Sequence, residues 1–484
     1  MADVPEGSEA FFRLSPVAEG EPEWFAMRRG DARHRQDPHF HRPRFRTLTN
    51  SIAKLGSVPL GEIVSCSDEV WDKSDGRFAH EFPYIEISAV GLGTNEYQIA
   101  QIPIGEAPSR ARQVVRADDI LVSLTRPHRG AIARVGMADD GVIASTGFAV
   151  LRKLLRDDVA RDYLLLFLGS RFGLEQLLMR SSGGSYPAIT SDELDRVLIL
   201  VPKVQRQREL VAAMDAARAV RRAKLAEADA LLTSLDRYLL DTLGLTPPPP
   251  DARRMFAIRR DDADSRLDAD FHSPRFQAIR KAIETCPHPA RSVAEICERI
   301  ATGFAAGQQD QAFDEESGVP HLRPLNLNIY GELSITTTKR VPRNTVPAED
   351  WCERGEVLFN NTNSTEMVGK STVFDLSIPC ACSNHMTRLK LRDGMNAEFV
   401  ADLFNALRSL GYLGLLSTNF NNQAGINLDT LRALRLPVPN AAAQTTIAAE
   451  VRRRRETARR LRAEAESGWA EAKRWFEDQL LGKA

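Results

Sequence analysis

Apolar residues recur at three- and four-residue spacing over two long stretches of the chain. In the first, 204–245, they are Leu210, Met214, Ala217, Leu225, Ala228, Leu232, Leu235 and Leu239, with Arg221 where an apolar position falls due. In the second, 441–481, they are Ile447, Val451, Ala458, Leu461, Ala465, Gly468, Ala472, Phe476 and Leu480. This spacing draws one apolar stripe along a helix. About forty residues at roughly 1.5 Å each predict helices on the order of 55 to 60 Å long, and two helices with one stripe each pack together as an antiparallel, coiled-coil-like pair. Elsewhere the pattern is shorter. Runs at 82–88, 120–124, 142–152, 319–325, 357–360 and 386–391 read as strands, and 45–53, 276–284, 159–179 and 397–416 as helices. A hydrophobic strand at 197–201 or 434–438 leads into each long helix through Pro202 or Pro439. The fold class is therefore α/β.

The pattern occurs twice. Residues 25–45 and 256–276 align without a gap at an offset of 231, with thirteen identities in twenty-one positions, running from Phe25 and Ala26 to His41, Pro43, Arg44 and Phe45 and their partners Phe256, Ala257, His272, Pro274, Arg275 and Phe276. Further on the offset drifts to 237: 118–123 lies over 355–360, and Ile189, Leu194, Val201, Pro202 and Gln207 lie over Ile426, Leu431, Val438, Pro439 and Gln444. A repeat of this length is a domain, not a solenoid unit, so the chain is expected to be a pseudo-symmetric pair. Thr246 is followed by Pro247, Pro248, Pro249 and Pro250, a stiff spacer that no helix continues through. The expected order is a first domain at 1–203, a long helix at 204–245, a proline linker at 246–254, a second domain at 255–439 and a long helix at 440–484.

Composition narrows the function less than the pattern does. With 484 residues, 43% hydrophobic and 27% charged, the chain has room for two to four domains. A net charge of −1 leaves no whole-chain basic excess, so nucleic-acid binding requires arginines segregated onto one surface. No apolar run reaches membrane-spanning length and no signal-peptide pattern opens the chain, which makes the cytoplasm the expected location. The arginine-rich run 452–462 flanks the apolar stripe, as a solvated or partner-binding helix face does.

Catalytic motifs fail on inspection. Gly369, Lys370 and Ser371 end like a phosphate-binding loop, yet Ser364 stands where its first glycine belongs. Gly91 and Gly93 begin a nucleotide-type turn whose third glycine position holds Glu96. Cys380, Cys382 and His385 are spaced like three zinc ligands, but a fourth is missing and the first copy has no ligand at 144–147. No amino-methyltransferase, nucleophile-elbow or metalloprotease motif is present, so no catalytic, cofactor-binding or metal site is expected.

What differs between the copies is a set of polar loops at equivalent places. The first copy carries Thr125, Arg126, His128 and Arg129 after its central strand, then Arg180, Ser182, Ser185 and Tyr186 before its closing strand. The second carries Asn360, Asn361 and Asn363, with Lys370 beyond, and then Asn419, Asn421, Asn422 and Gln423. Arginine suits guanine edges and phosphates, and asparagine and glutamine suit adenine. Divergent polar loops on a repeated frame make these sixteen residues the candidate DNA-binding set, although ordinary turns use the same residue types.

Taken end to end, the chain resembles the specificity subunit of type I restriction-modification systems. The resemblance is carried by the order of several strings: 266–271 opening the second domain, 319–326, 355–363 with Val368, Gly369 and Lys370 after it, 145–151, and a proline followed by Gln207 or Gln444 at the start of each long helix. The helix starts at Lys203 and Asn440 depart from the family's usual Pro-x-x-Glu-Gln style. The resemblance implies two target-recognition domains, each reading half of a split double-stranded DNA site, and helices that dock two modification subunits. Those partners would use S-adenosylmethionine to methylate flipped adenines, and restriction/translocase subunits, a partner left open, would use ATP and magnesium. It also implies a non-catalytic chain with no cofactor of its own. The targeting subunit of another modification or phage-defence complex, or a nucleotide-using enzyme built on Gly91–Gly93 or Gly369–Ser371, are the alternatives.

Overall fold

The computed structural model describes residues 9–13, 24–28, 30, 35–184, 186–246, 255–259, 266–307, 318–420 and 423–482. The proline spacer at 247–250 lies outside them. The chain divides into two compact units, one formed by Met1–Arg221 with Glu466–Ala484 and the other by Arg222–Ala465.

The first unit is built around the strand Ile120–Ser123, buried on both faces. It lies between Phe148–Leu154 and Ile132–Arg134, and Val64–Cys66 completes an antiparallel four-stranded sheet. A second sheet runs Ala100–Pro103, Glu81–Ile85, Ile143–Ser145, Ala111–Val114, with its middle pair parallel. The apolar run 142–152 therefore serves two sheets. It breaks at Thr146 and Gly147, where a Cβ on Gly147 would lie 2.4 Å from the Ile87 side chain. The helices Arg161–Leu168 and Arg171–Arg180 supply Tyr163, Leu164, Phe167, Phe172 and Leu177 to the core.

The second unit repeats this plan. Val357–Asn360, buried throughout, lies between Met386–Leu391 and Ser371–Val373, with Cys297–Thr302 outside. Gly318–Leu322 again has an antiparallel neighbour, Arg340–Pro342, and a parallel one, Ala381–Cys382. In both units a short strand from the start of the domain pairs antiparallel with the closing strand: Ser57–Pro59 with Leu198–Leu200, and Ala290–Ser292 with Arg435–Pro437. Each unit also ties a buried acidic residue at the equivalent position to arginine: Asp119 to Arg152 at 2.8 Å, and Glu356 to Arg299 at 2.7 Å and Arg388 at 4.0 Å.

The predicted long helices are present as Val204–Thr233, continued by Leu235–Thr242, and Ala441–Leu480. The two segments of the first meet at Ser234 (φ −83°, ψ −9°), where the hydroxyls of Thr233 and Ser234 donate to the carbonyls of Asp229 and Leu231 at 2.9 and 2.7 Å. Within each unit the segments of the two helices run antiparallel. Arg221 pairs with Glu466 at 2.8 Å in the first unit, and Lys224 with Glu464 and Asp229 with Arg462 at 2.8 and 2.7 Å in the second. The apolar register holds at Leu210, Met214, Ala228, Leu232, Leu235 and Leu239, and at Ile447, Val451, Ala458, Leu461, Ala465 and Phe476, all buried. It fails at Gly468, which is exposed. Four residues beyond Ala465 the stripe is carried by Trp469, which is buried and donates its indole N–H to the Gly93 carbonyl at 3.2 Å.

A candidate nucleic-acid interface built twice

The repeated opening motif holds the loops. In the first unit Arg35 pairs with Asp37 at 3.0 Å and lies 4.8 Å from the Phe40 ring centre, while the Nε2–H of His41 donates to the Arg35 carbonyl at 2.6 Å. In the second, Arg266 pairs with Asp268 at 2.7 Å and lies 4.5 Å from the Phe271 ring centre, while His272 donates to the Arg266 carbonyl at 2.5 Å. Carbonyl oxygens only accept, which fixes the proton on Nε2 in both histidines. Each guanidinium then reaches across to the far loop. Arg35 donates to the Arg180 carbonyl at 3.2 Å, and Arg266 to the Leu416 and Ser417 carbonyls at 2.7 and 3.3 Å. Residues 180 and 417 are 237 positions apart, so the two arginines clamp the same point of the fold. In the sequence these residues are visible as repeat markers, and nothing local to them signals the clamp.

Above the clamp a three-strand arrangement joins the two loops of each unit. In the first, Thr125 bridges Ala188, which bridges Ser182, and the Arg126 N–H donates to the Pro187 carbonyl at 2.6 Å. In the second, Thr362–Asn363 pairs with Gln423–Gly425, which pairs with Thr418–Phe420. The correspondence again follows the offset of 237. Close approach demands glycine in two places: Gly183 has φ +103°, and a Cβ on Gly425 would lie 2.8 Å from the Phe420 ring.

The candidate residues divide by burial. Arg129, Ser182, Tyr186, Asn419 and Gln423 are exposed, and Thr125, Arg126, His128 and Asn363 are half-buried. Asn360, Asn361 and Lys370 are buried beneath them and bonded internally. The Asn360 amide donates to the Met367 carbonyl at 3.0 Å, and the Asn361 amide to the Asn384 carbonyl and the Thr387 hydroxyl at 3.2 and 2.9 Å. The Lys370 ammonium donates to the Pro324 and Leu327 carbonyls at 2.8 and 2.6 Å, and burial pushes its pKa down. Arg180 is largely buried and pairs with Glu193 at 3.1 Å. Ser185, Asn421 and Asn422 lie outside the described residues. Phe420, half exposed beside Asn419, belongs to the same surface although its apolar character kept it out of the polar set.

The first unit adds a cleft of about 870 Å³ beside these loops, lined by Arg35, His39, Arg42, Arg44, His128 and Ser182 among others. Burial, with Arg129, Arg126 and His39 adding repulsion, lowers the pKa of His128. The cleft thus places the guanidiniums of Arg35, Arg42 and Arg44 beside the loops together with Asp37, Arg35 being paired with Asp37 and Arg44 lying 3.8 Å from Glu175.

The fragments considered for chemistry have structural employment. Gly93, at φ +67°, presents its carbonyl to Trp469, and Lys370 is tied to backbone carbonyls. Cys380 and Cys382 are core residues, and among the described residues no group of three or more histidine, cysteine or acidic side chains is placed to hold a metal. The arginine-rich run is paired at Arg452 with Glu398, Arg453 and Arg454 with Glu450, Arg455 with Asp402, Arg459 with Glu332 and Arg462 with Asp229. No described helix is long and apolar enough to cross a membrane.

No protein-family model and no curated protein sequence matches the chain. Among solved structures, the crystal structure of the HsdS subunit from Thermoanaerobacter tengcongensis aligns with 24% identity and a TM-score of 0.38 over 88% of this chain and 95% of that one. The crystal structure of the type I restriction-modification system S subunit from M. genitalium aligns with 11% identity and a TM-score of 0.42 over 88% and 94%. A structure concerned with complex assembly and conformational transition of the type I R-M system contains a chain that aligns with 23% identity and a TM-score of 0.51, over 88% of this chain and 96% of its own length. With this last chain the protein shares its fold, from the repeated α/β units to the long helices.

Proposed function

We propose that this chain is the specificity subunit of a type I restriction-modification complex: a non-catalytic protein that reads a two-part DNA site and brings modification and restriction subunits to it. The observation that carries this reading is the double construction of one frame around different side chains. The clamp recurs at an offset of 231 and the three-strand junction and closing strand at 237, while the exposed and half-buried residues they present change from Arg126, Arg129 and Tyr186 to Asn363, Asn419 and Gln423. A frame kept while its displayed surface diverges suits two half-sites of different sequence. The shared fold supports the same reading.

On this reading methyl transfer to adenine, with its S-adenosylmethionine, belongs to two partner subunits, and ATP and magnesium to a restriction subunit where one joins. The long helices offer the docking faces. The test uses full-length chain with and without a co-expressed modification subunit. The chain alone is expected to transfer no methyl group and to hydrolyse no ATP. With its partner it is expected to bind one duplex sequence with an affinity that falls steeply as salt rises. Methyl transfer by the isolated chain would overturn the assignment.

A further inference from the structure

Three non-glycine residues among those described have positive φ: Asn95, Asp118 and Arg126. Asparagine and aspartate visit this region because their short side chains bond locally, an option arginine lacks. Arg126, at φ 48° and ψ 49°, is held there by its surroundings. The Ser123 hydroxyl donates to the preceding carbonyl, that of Thr125, at 2.7 Å, and the Arg126 N–H is tied to Pro187 at 2.6 Å. Pro127 is buried after it, and Gly130 turns the chain at φ 75°. Strain of this kind persists where the surrounding structure over-determines it, and it concentrates at working sites.

What the strain achieves is the placement of a guanidinium. Arg126 lies 4.3 Å from the ring centre of Tyr186, a residue 70% exposed on the other loop of the junction. Stacking on a ring engages the guanidinium face, and its N–H donors lie in its plane. An arginine fixed in this way matches the O6 and N7 acceptors that guanine presents in the major groove. In the second unit the positions 237 further on are Asn363 and Gln423, two amides, whose geometry suits adenine.

Resting on the DNA-reading function proposed above, we infer that Arg126, stacked on Tyr186, is the guanine-reading residue of the first unit's half-site. The neighbouring guanidiniums of Arg129 and Arg44 would hold phosphates and contribute no sequence preference.

The experiment is selection of duplexes from a randomised pool by the full-length chain with its modification subunit, for the natural protein and for Arg126→Ala, Arg126→Lys, Tyr186→Phe and Tyr186→Ala. The natural protein is expected to fix a guanine at one position of one half-site. Arg126→Ala should lose on the order of 10- to 100-fold of the preference at that position and keep every other. Lysine, whose ammonium can reach guanine but lacks the flat guanidinium that packs on the ring, should restore it only in part, and Tyr186→Phe, which keeps the ring, should retain it. Weakening spread evenly over all sequences, with a shallower salt dependence and no relaxed position, would make Arg126 a phosphate contact and overturn the inference. If Arg126→Ala fails to fold, Tyr186→Ala decides: its ring is exposed, and an unchanged guanine preference overturns the inference. A natural protein that selects no sequence at all would instead overturn the proposed function. A two-part site with no guanine in the first unit's half would overturn only this inference.

Discussion

Side chains of similar polarity have different consequences here according to depth. Asn361 uses its amide to join the Asn384 carbonyl to Thr387 under the second unit's loops, whereas Gln423 stands exposed on the strand above. Asn361→Ala is therefore expected to destabilise the second unit by about 1 to 3 kcal/mol, the cost of stranding buried polar groups, as denaturant melting would register. Gln423→Ala should leave melting unchanged and weaken DNA binding through the second half-site by about 1 to 3 kcal/mol if a base contact is lost. The reverse assignment of the two effects would refute this division by depth. A charge buried nearby sets a pH dependence. Asp402 is enclosed against Arg455, and burial raises its carboxyl pKa from 3.8 to about 6 in spite of that arginine. Because the folded pKa lies above the unfolded one, the folded state takes up the proton first. The stabilisation is complete below about pH 4 and is lost as pH rises through about 6, a swing on the order of 3 kcal/mol. Asp402→Asn should flatten the unfolding free energy between pH 4 and 7 relative to the natural chain; an unaltered profile would show that Asp402 ionises normally.

At the scale of elements, the long helices show what periodicity conveys and where it stops. Spacing identified both helices and most of their buried positions, because burial on a helix follows from its 3.6-residue turn. It could not choose between Gly468 and Trp469, since three and four residues beyond Ala465 both fit one face, and the choice depends on the carbonyl that Gly93 offers to the indole. A Cβ added at Gly468 would meet no other atom within 4 Å, and the residue sits in a helix interior, so Gly468→Ala should stabilise the protein by about 0.5 to 1 kcal/mol. Trp469→Ala should cost about 3 to 5 kcal/mol through the cavity left among Met214, Phe476 and their neighbours. Thermal melting of the pair checks both signs. Short strands were less legible. Ala381–Cys382 and Thr362–Asn363 have only two residues each and are defined by their partners, which local sequence does not name. The same holds for Arg35 and Arg266: the repeat marked them, but their hydrogen bonds to residues 180 and 416–417 join segments about 150 positions apart. Gln207 and Gln444 follow the same rule. Gln207 accepts from the Ala160 N–H and donates to the Asp158 and Pro202 carbonyls, all at 2.8 Å, and Gln444 accepts from the Asn396 N–H and donates to the Pro439 carbonyl, both at 2.9 Å. Each ties the start of a long helix to the start of a domain helix.

For the whole molecule, two units that each own a core, a clamp and a loop junction should be separable in specificity even though both long helices contribute to each. The backbone partners of the second unit's loops, Pro324, Leu327, Met367, Asn384, Leu416 and Ser417, all lie within 255–439. The elements that pack on the helices, including Asp402 on Arg455 and Asn396 on Gln444, face them across that segment's own boundary. Replacing residues 255–439 with the corresponding segment of another protein of this architecture should therefore transplant one half-site and leave the other intact, provided that the donor keeps Asp402 and Asn396 or their equivalents. The measurement is methylation mapping in cells that carry the hybrid chain and its modification subunit. One changed half beside one unchanged half is the expected pattern. A hybrid that folds, assembles and changes the bases recognised in both halves would mean that each half-site is read jointly, and that the duplicated frame does not divide the work of recognition.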